Sequence, residues 1–182
     1  YTFTIKVYLA DQVNAFAMAD GTIRIYSGLM DMMNDDELLF VVGHEMGHVV
    51  HKHIKKKIML AYAASAIRKG VASQENIVGD IARSQLGGLV QALLNAQFSQ
   101  QEEREADDFG IFYLKEKKQP VTAAVSALEK LATLGKGHSF LSSHPAPDAR
   151  ARRLKGQAEN PETISRLTLI DKLIQTLKTL LL

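Results

Sequence analysis

Leu38-Leu39-Phe40-Val41-Val42-Gly43-His44-Glu45-Met46-Gly47-His48-Val49-Val50 is an apolar run broken by two histidines and a glutamate. The pattern around it is helical. On a helix, residues i and i+4 share a face. His44 and His48 can therefore aim their imidazoles at one point and hold one Zn²⁺. Glu45 sits about 100° around the helix from His44, placed to reach a water on a metal rather than the metal itself. Two imidazoles beside a carboxylate base suit metal-assisted hydrolysis of a peptide bond. Gly47 leaves a gap on the helix where a substrate or a neighbouring backbone can come close. An H-E-x-x-H match also arises by chance, so its weight depends on the rest of the chain.

Outward from this run, Asn34, Asp35 or Asp36 can cap the helix, which is expected to continue to about Lys57. Upstream, residues 2–9 alternate apolar and polar like a half-buried strand. Asn14–Ala19 reads as a second extended segment, Asp20-Gly21 as a hairpin turn and Thr22–Tyr26 as the returning strand. Ser27 can cap a short helix over 28–33. These segments predict a small N-terminal antiparallel sheet beside the motif helix. Downstream the chain reads as helices over 58–69, 76–98 (interrupted at Gly87-Gly88), 99–117, 122–134 and 147–156. The fold class is α+β, mainly helical, with one domain over residues 1–157. Beyond the Asn160-Pro161 break, Leu167, Ile170, Ile174, Leu177 and Leu181 form an apolar stripe. Residues 158–182 are expected to be an amphipathic helical tail that packs on its own domain.

The 182 residues suffice for a sizeable core, and 46% of them are apolar. A formal net charge of +2 gives no case for a nucleic-acid partner. The basic cluster Lys52–Lys57 suits a solvated helix end. There is no cysteine, so a metal has only His and carboxylate donors. No apolar stretch reaches the ~18 residues of a membrane span. The chain opens directly on a strand-like pattern, as a fragment or processed form does, and membrane association through a missing N-terminal anchor is compatible with that.

A further protein ligand is expected from Glu102-Glu103-Arg104-Glu105-Ala106-Asp107-Asp108. Glu103 and Asp107 are i and i+4. One can bind the metal while the other accepts the second ring N–H of a ligand histidine and fixes its orientation. Glu105 points another way, and Ala106 is small enough for two helices to approach. His144 lies in Ser143-His144-Pro145-Ala146-Pro147, a loop stiffened by two prolines, with Arg150 on the helix that follows. From there His144 and Arg150 can act on charge developing at a scissile carbonyl. His51, His53 and His138 have no such context and read as ordinary residues.

In this order, with Asn14-Ala15-Phe16 ahead of the motif and Glu103-x-x-x-Asp107 and His144-Pro145 behind it, the chain resembles the gluzincin zinc metallopeptidases of the HtpX and CAAX prenyl protease family. It is most similar to their soluble periplasmic branch. The resemblance covers about residues 1–155. It implies a zincin-like fold, Zn²⁺ as cofactor, His44, His48 and Glu103 as ligands, and Glu45 as the base. It also implies a His144 that lies near the metal, as a transition-state group or as an inhibitory extra ligand. Asn14, Ala15 and Phe16 would pair with the backbone of a protein or peptide substrate as an added strand. The implied setting is the bacterial periplasm or the outer membrane, in envelope protein quality control. One departure is Gln100, where relatives commonly carry Arg. The alternative reading is a chaperone-like or binding module that keeps the fold with little turnover.

Overall fold

A computed structural model describes residues 2–61, 97–135 and 138–159. The helices expected between 62 and 96 and the tail from 160 lie outside the described residues. The elements are β1 (Thr4–Tyr8), β2 (Ala15–Ala17), β3 (Thr22–Tyr26), α1 (Ser27–Met32), α2 (Asp35–Val50), α3 (Gln100–Glu116), α4 (Thr122–Ala132), α5 (Ser139–Ser143) and α6 (Pro147–Glu159). A further helical stretch covers 53–61.

The sheet is small, as expected, but mixed rather than antiparallel. Its strand order is β1-β3-β2. The Asp20-Gly21 turn does join β2 to β3 antiparallel, with Gly21 at φ 89° donating to the Met18 carbonyl and Asp20 accepting from the Thr22 N–H. β1, however, pairs in parallel with β3, from Thr4 opposite Thr22 to Tyr8 opposite Tyr26. The chain reverses once after β1 and once at Gly21, so β1 and β3 point the same way. Ser27 secures this arrangement. Its hydroxyl donates to the Ala10 carbonyl and accepts from the Ala10 N–H, both at 2.9 Å. It is therefore not the cap of α1, whose N-cap is Tyr26. Ala15, Ile23 and Ile25 turn into the core. On the other face the Arg24 guanidinium lies over the Tyr8 and Phe16 rings.

α2 is buried along most of its length and forms the centre of the molecule. Asn34 starts it with a capping box. Its side chain accepts from the Glu37 N–H, and Glu37 Oε2 accepts from the Asn34 N–H at 2.8 Å. Glu37 is buried and also takes Lys130 Nζ, at 2.6 Å, and the Ser126 hydroxyl. One carboxylate thus starts α2 and fastens it to α4. The motif helix stops at Val50 rather than Lys57. Lys52 adopts φ 61°, and helical geometry resumes at residue 53 in a new direction.

α2 packs against α3 along a seam of small residues. A β-carbon at Gly47 would stand 2.9 Å from the Ala106 Cα, and one at Gly43 3.0 Å from the Gly110 Cα. The gap left by Gly47 is filled by the backbone of α3. Phe40, Leu29, Leu114, Leu128, Leu131 and Phe140 complete the core around this pair. No helix among the described residues is long and apolar enough to cross a membrane.

Candidate active site

The close approach of α2 and α3 carries the i, i+4 pair of each helix to one place. His44 and His48 come from α2, Glu103 and Asp107 from α3, and His144 from the junction of α5 and α6. All five are buried. His44, His48, Glu103 and His144 each offer one potential ligand atom, and these atoms lie within 4.8 Å of one another. His44 Nε2 is 3.0 Å from His48 Nε2 and 3.2 Å from His144 Nδ1, and His144 Nδ1 is 3.0 Å from Glu103 Oε1.

Hydrogen bonds assign the ring tautomers. His44 Nδ1–H donates to Asp107 Oδ1 at 3.0 Å, so Nε2 carries the lone pair. His48 Nδ1 faces the Nδ1 of His53, also at 3.0 Å. With the lone pair of His48 also on Nε2, the two nitrogens, 3.0 Å apart, would converge on a cation held between them. A tetrahedral cation bound to nitrogen at about 2.0–2.1 Å has ligand–ligand edges of about 3.3 Å, close to the spacing seen. Burial pushes the His48 imidazole well below its ordinary pKa, which favours the neutral form a metal needs. The donor set therefore fits a divalent metal.

Glu45 occupies a different position. Its Oε2 accepts the backbone N–H of Ala17, at 2.9 Å. Its Oε1 is buried with no hydrogen-bond partner and lies 3.4 Å from His144 Nε2. Burial raises the carboxyl above its usual range, against the attraction of His144 and His44. A buried carboxylate oxygen without a hydrogen-bond partner, beside a cluster of potential metal ligands, is free to accept from a water.

Arg150 takes a role other than the one expected. Its Nε donates to Asp107 Oδ2 at 3.0 Å, Nη2 to Asp107 Oδ1 at 2.5 Å, and Nη1 pairs with Glu103. The guanidinium is buried and committed to these two carboxylates, so it does not face a scissile carbonyl. Burial alone would raise both carboxyls. Arg150 outweighs that, with His144 and His48 at Glu103 and His44 at Asp107, and holds both below the ordinary range. Arg150 thus keeps the acidic groups ionised and in place.

Two contributors escape a reading of the sequence. His53 is buried beside His48 rather than solvated. On an unbroken helix, five residues turn about 500°, leaving His53 about 140° away from His48. The kink at Lys52 brings it back, and no glycine signals that kink. The other is Phe98, whose ring stacks on His48 with centroids 3.7 Å apart. Its N–H donates to the Ser143 carbonyl, and the Lys57 ammonium lies 3.0 Å from its ring centroid. Burial lowers the Lys57 pKa to about 8. Glu105, two residues on from Glu103 along α3, meets His53 at 2.9 Å.

A buried His-His-carboxylate set, with a neighbouring glutamate kept out of the set, defines the centre of a metal-dependent hydrolase. The chain belongs to Peptidase family M48, which matches residues 2–158. It is 47% identical over 152 residues to Metalloprotease LoiP of Escherichia coli (strain K12), and 41% identical over 152 residues to Metalloprotease YcaL of the same strain. Each match covers 82% of this chain and 60% of the relative. It is also 32% identical over 160 residues to a Beta-barrel assembly-enhancing protease of Yersinia pestis, over 81% of this chain and 33% of that protein. The chain thus spans about 60% of the length of LoiP and YcaL.

Proposed function

We propose that this protein is a zinc-dependent endopeptidase acting on protein substrates in the bacterial envelope. One observation carries the proposal: the unpartnered Glu45 Oε1 beside the His44–His48–Glu103 cluster. Zinc, when bound, polarises the scissile carbonyl and acidifies a water toward a pKa of about 7. His44, His48 and Glu103 would hold it. Zinc suits a compact, cysteine-free set of imidazole and carboxylate donors.

Glu45 takes the water's proton at Oε1 and passes it to the leaving amine nitrogen. Its raised pKa suits the second half of that task, because the carboxyl then keeps the proton until the amine departs. Asp107 holds the His44 ring through Nδ1–H, and Arg150 holds Asp107 and Glu103. His144 rests in the cluster. It swings aside as substrate enters and donates to the oxyanion, the Pro145–Pro147 loop moving as a unit.

The substrate lies along β2. This is an edge strand of the sheet. The Asn14 and Met18 backbones bond toward β3, as Tyr26 N–H to Asn14 O and Met18 N–H to Thr22 O. Alternation then turns the backbone groups of Ala15 and Ala17 away from β3. A peptide added there, beside Asn14, Ala15 and Phe16, runs past Glu45 and is recognised through its backbone, which gives broad sequence tolerance. An envelope setting accords with the Beta-barrel assembly-enhancing protease among the relatives.

The test is degradation of casein. The proposal expects cleavage that a chelator abolishes and zinc restores, and that Glu45→Gln lacks. Chelator-insensitive cleavage, or none by zinc-loaded protein, contradicts it.

A further inference from the structure

The two candidate histidine ligands of α2 are held differently. The His44 Nδ1–H goes directly to a carboxylate, Asp107. Among the described residues, His48 has no carboxylate at its Nδ1. It has His53 Nδ1, at 3.0 Å. His53 Nε2 in turn lies 2.9 Å from Glu105 Oε2, and Glu105 Oε1 accepts the Gln101 side-chain N–H at 2.8 Å.

With both rings neutral and Glu105 ionised, the protons in this chain have one placement. Glu105 accepts, so His53 Nε2 carries a hydrogen and donates. A neutral His53 then has a lone pair on Nδ1. The facing His48 Nδ1 must supply the hydrogen, which leaves the lone pair of His48 on Nε2. That nitrogen is the one 3.0 Å from His44 Nε2. Every link thus sets His48 in the tautomer and orientation that a metal in the cluster requires. We infer that His53 and Glu105 form a relay that orients the His48 ring, making both of them positioning residues of the metal centre.

The inference rests on the metal reading of the site. Its origin is the kink at Lys52, which returns His53 to the site, and α3, which presents Glu103 and Glu105 to different partners. The relay ends at an accessible carboxylate, since the Glu105 side chain is 38% exposed. His48 is therefore oriented by a chain that ends at the surface, and His44 by a buried carboxylate.

The test is zinc affinity, measured by competition with a chromogenic chelator, and it needs no turnover. His53→Phe keeps a buried ring but has no nitrogen, and should weaken zinc binding roughly 10–100-fold, the usual size of such outer effects. His53→Gln, whose amide can both accept and donate, should recover most of the affinity. Glu105→Ala removes an exposed side chain and should weaken binding by several-fold while the protein stays folded. In the zinc-loaded parent, nitrogen-detected NMR should find hydrogen on His48 Nδ1 and on His53 Nε2. Wild-type affinity in both His53→Phe and Glu105→Ala, equal losses in His53→Phe and His53→Gln, or hydrogen on His53 Nδ1 each overturns the relay. Failure of the parent itself to bind zinc overturns the metal reading beneath it.

Discussion

The Ala17 backbone N–H donates to Glu45 Oε2 at 2.9 Å. One oxygen of the candidate base is thereby tied to the edge strand on which a peptide would be added, and the other is left free. β2 and the candidate base are held in register by one hydrogen bond. Glu45→Gln keeps the shape and an oxygen that can accept from Ala17. It should leave the metal content unchanged and lower kcat/KM by about 10²–10⁴-fold, the range of general acid–base catalysis. Metal analysis alongside peptidase kinetics checks this. Near-parental turnover sinks the assignment.

Glu103 and Asp107 share a face of α3 but differ in what they touch. Glu103 borders the imidazoles of His48 and His144, whereas Asp107 bonds the far side of His44. Glu103→Ala should therefore abolish stoichiometric zinc binding. Asp107→Ala should weaken it by about 10–100-fold and keep the stoichiometry. Dialysis against buffered zinc, followed by elemental analysis, separates the two. Equal behaviour of the two variants contradicts the division of roles.

His144 lies within coordinating distance of the cluster and within 3.4 Å of Glu45. As an oxyanion donor during turnover, it should be needed for rate more than for binding. His144→Ala should lower kcat by about 10²–10³-fold, with a much smaller change in KM. Steady-state kinetics on one peptide checks this. A rise in kcat assigns His144 an inhibitory role alone.

The seam between α2 and α3 has no room for a β-carbon at Gly47, where the Ala106 Cα would be 2.9 Å away. Gly47→Ala should push the helices apart, destabilise the fold by about 1–3 kcal/mol and weaken zinc binding as the two i, i+4 pairs separate. Urea denaturation of the metal-free protein gives the first quantity, and chelator competition the second. A stabilised variant with parental zinc affinity contradicts the packing.

How much of this was legible in the sequence follows from range. His44/His48 and Glu103/Asp107 are pairs within one helix turn, so helical periodicity alone puts each pair on one face. Ala106 and Gly47 showed that the helices could meet. What escaped depends on partners distant in sequence or on backbone angles that no residue type announces. β1 lies beside β3 rather than β2. Lys52 takes a positive φ without being glycine, and so brings His53 to His48. Arg150 is drawn to Asp107 and Glu103, on a helix some forty residues earlier, away from the carbonyl it was expected to face.

Glu37 supplies a pH dependence away from the metal. Burial raises its carboxyl, but Lys130, Ser126 and Asn34 outweigh that and lower the pKa below 4.5. A depressed folded-state pKa means stability that is fully present above the unfolded value of about 4.5 and is lost as the pH falls through the folded one. Glu37→Gln should therefore lose about 2 kcal/mol at neutral pH, the scale of hydrogen bonds to a buried charge. The gap to the parent should narrow below about pH 4.5. Denaturant titrations at pH 7 and pH 3.5 on metal-free protein measure it. A gap that widens in acid reverses the sign and the argument.

The central claim is that one metal joins α2 to α3 at His44, His48 and Glu103. Anomalous diffraction at the zinc edge from crystals of the zinc-loaded protein tests it most directly. The account predicts a single peak bonded to His44 Nε2, His48 Nε2 and a Glu103 oxygen, with Glu45 outside bonding distance. A peak held by Glu105 or His53, or no peak in the cluster at saturating zinc, would contradict it.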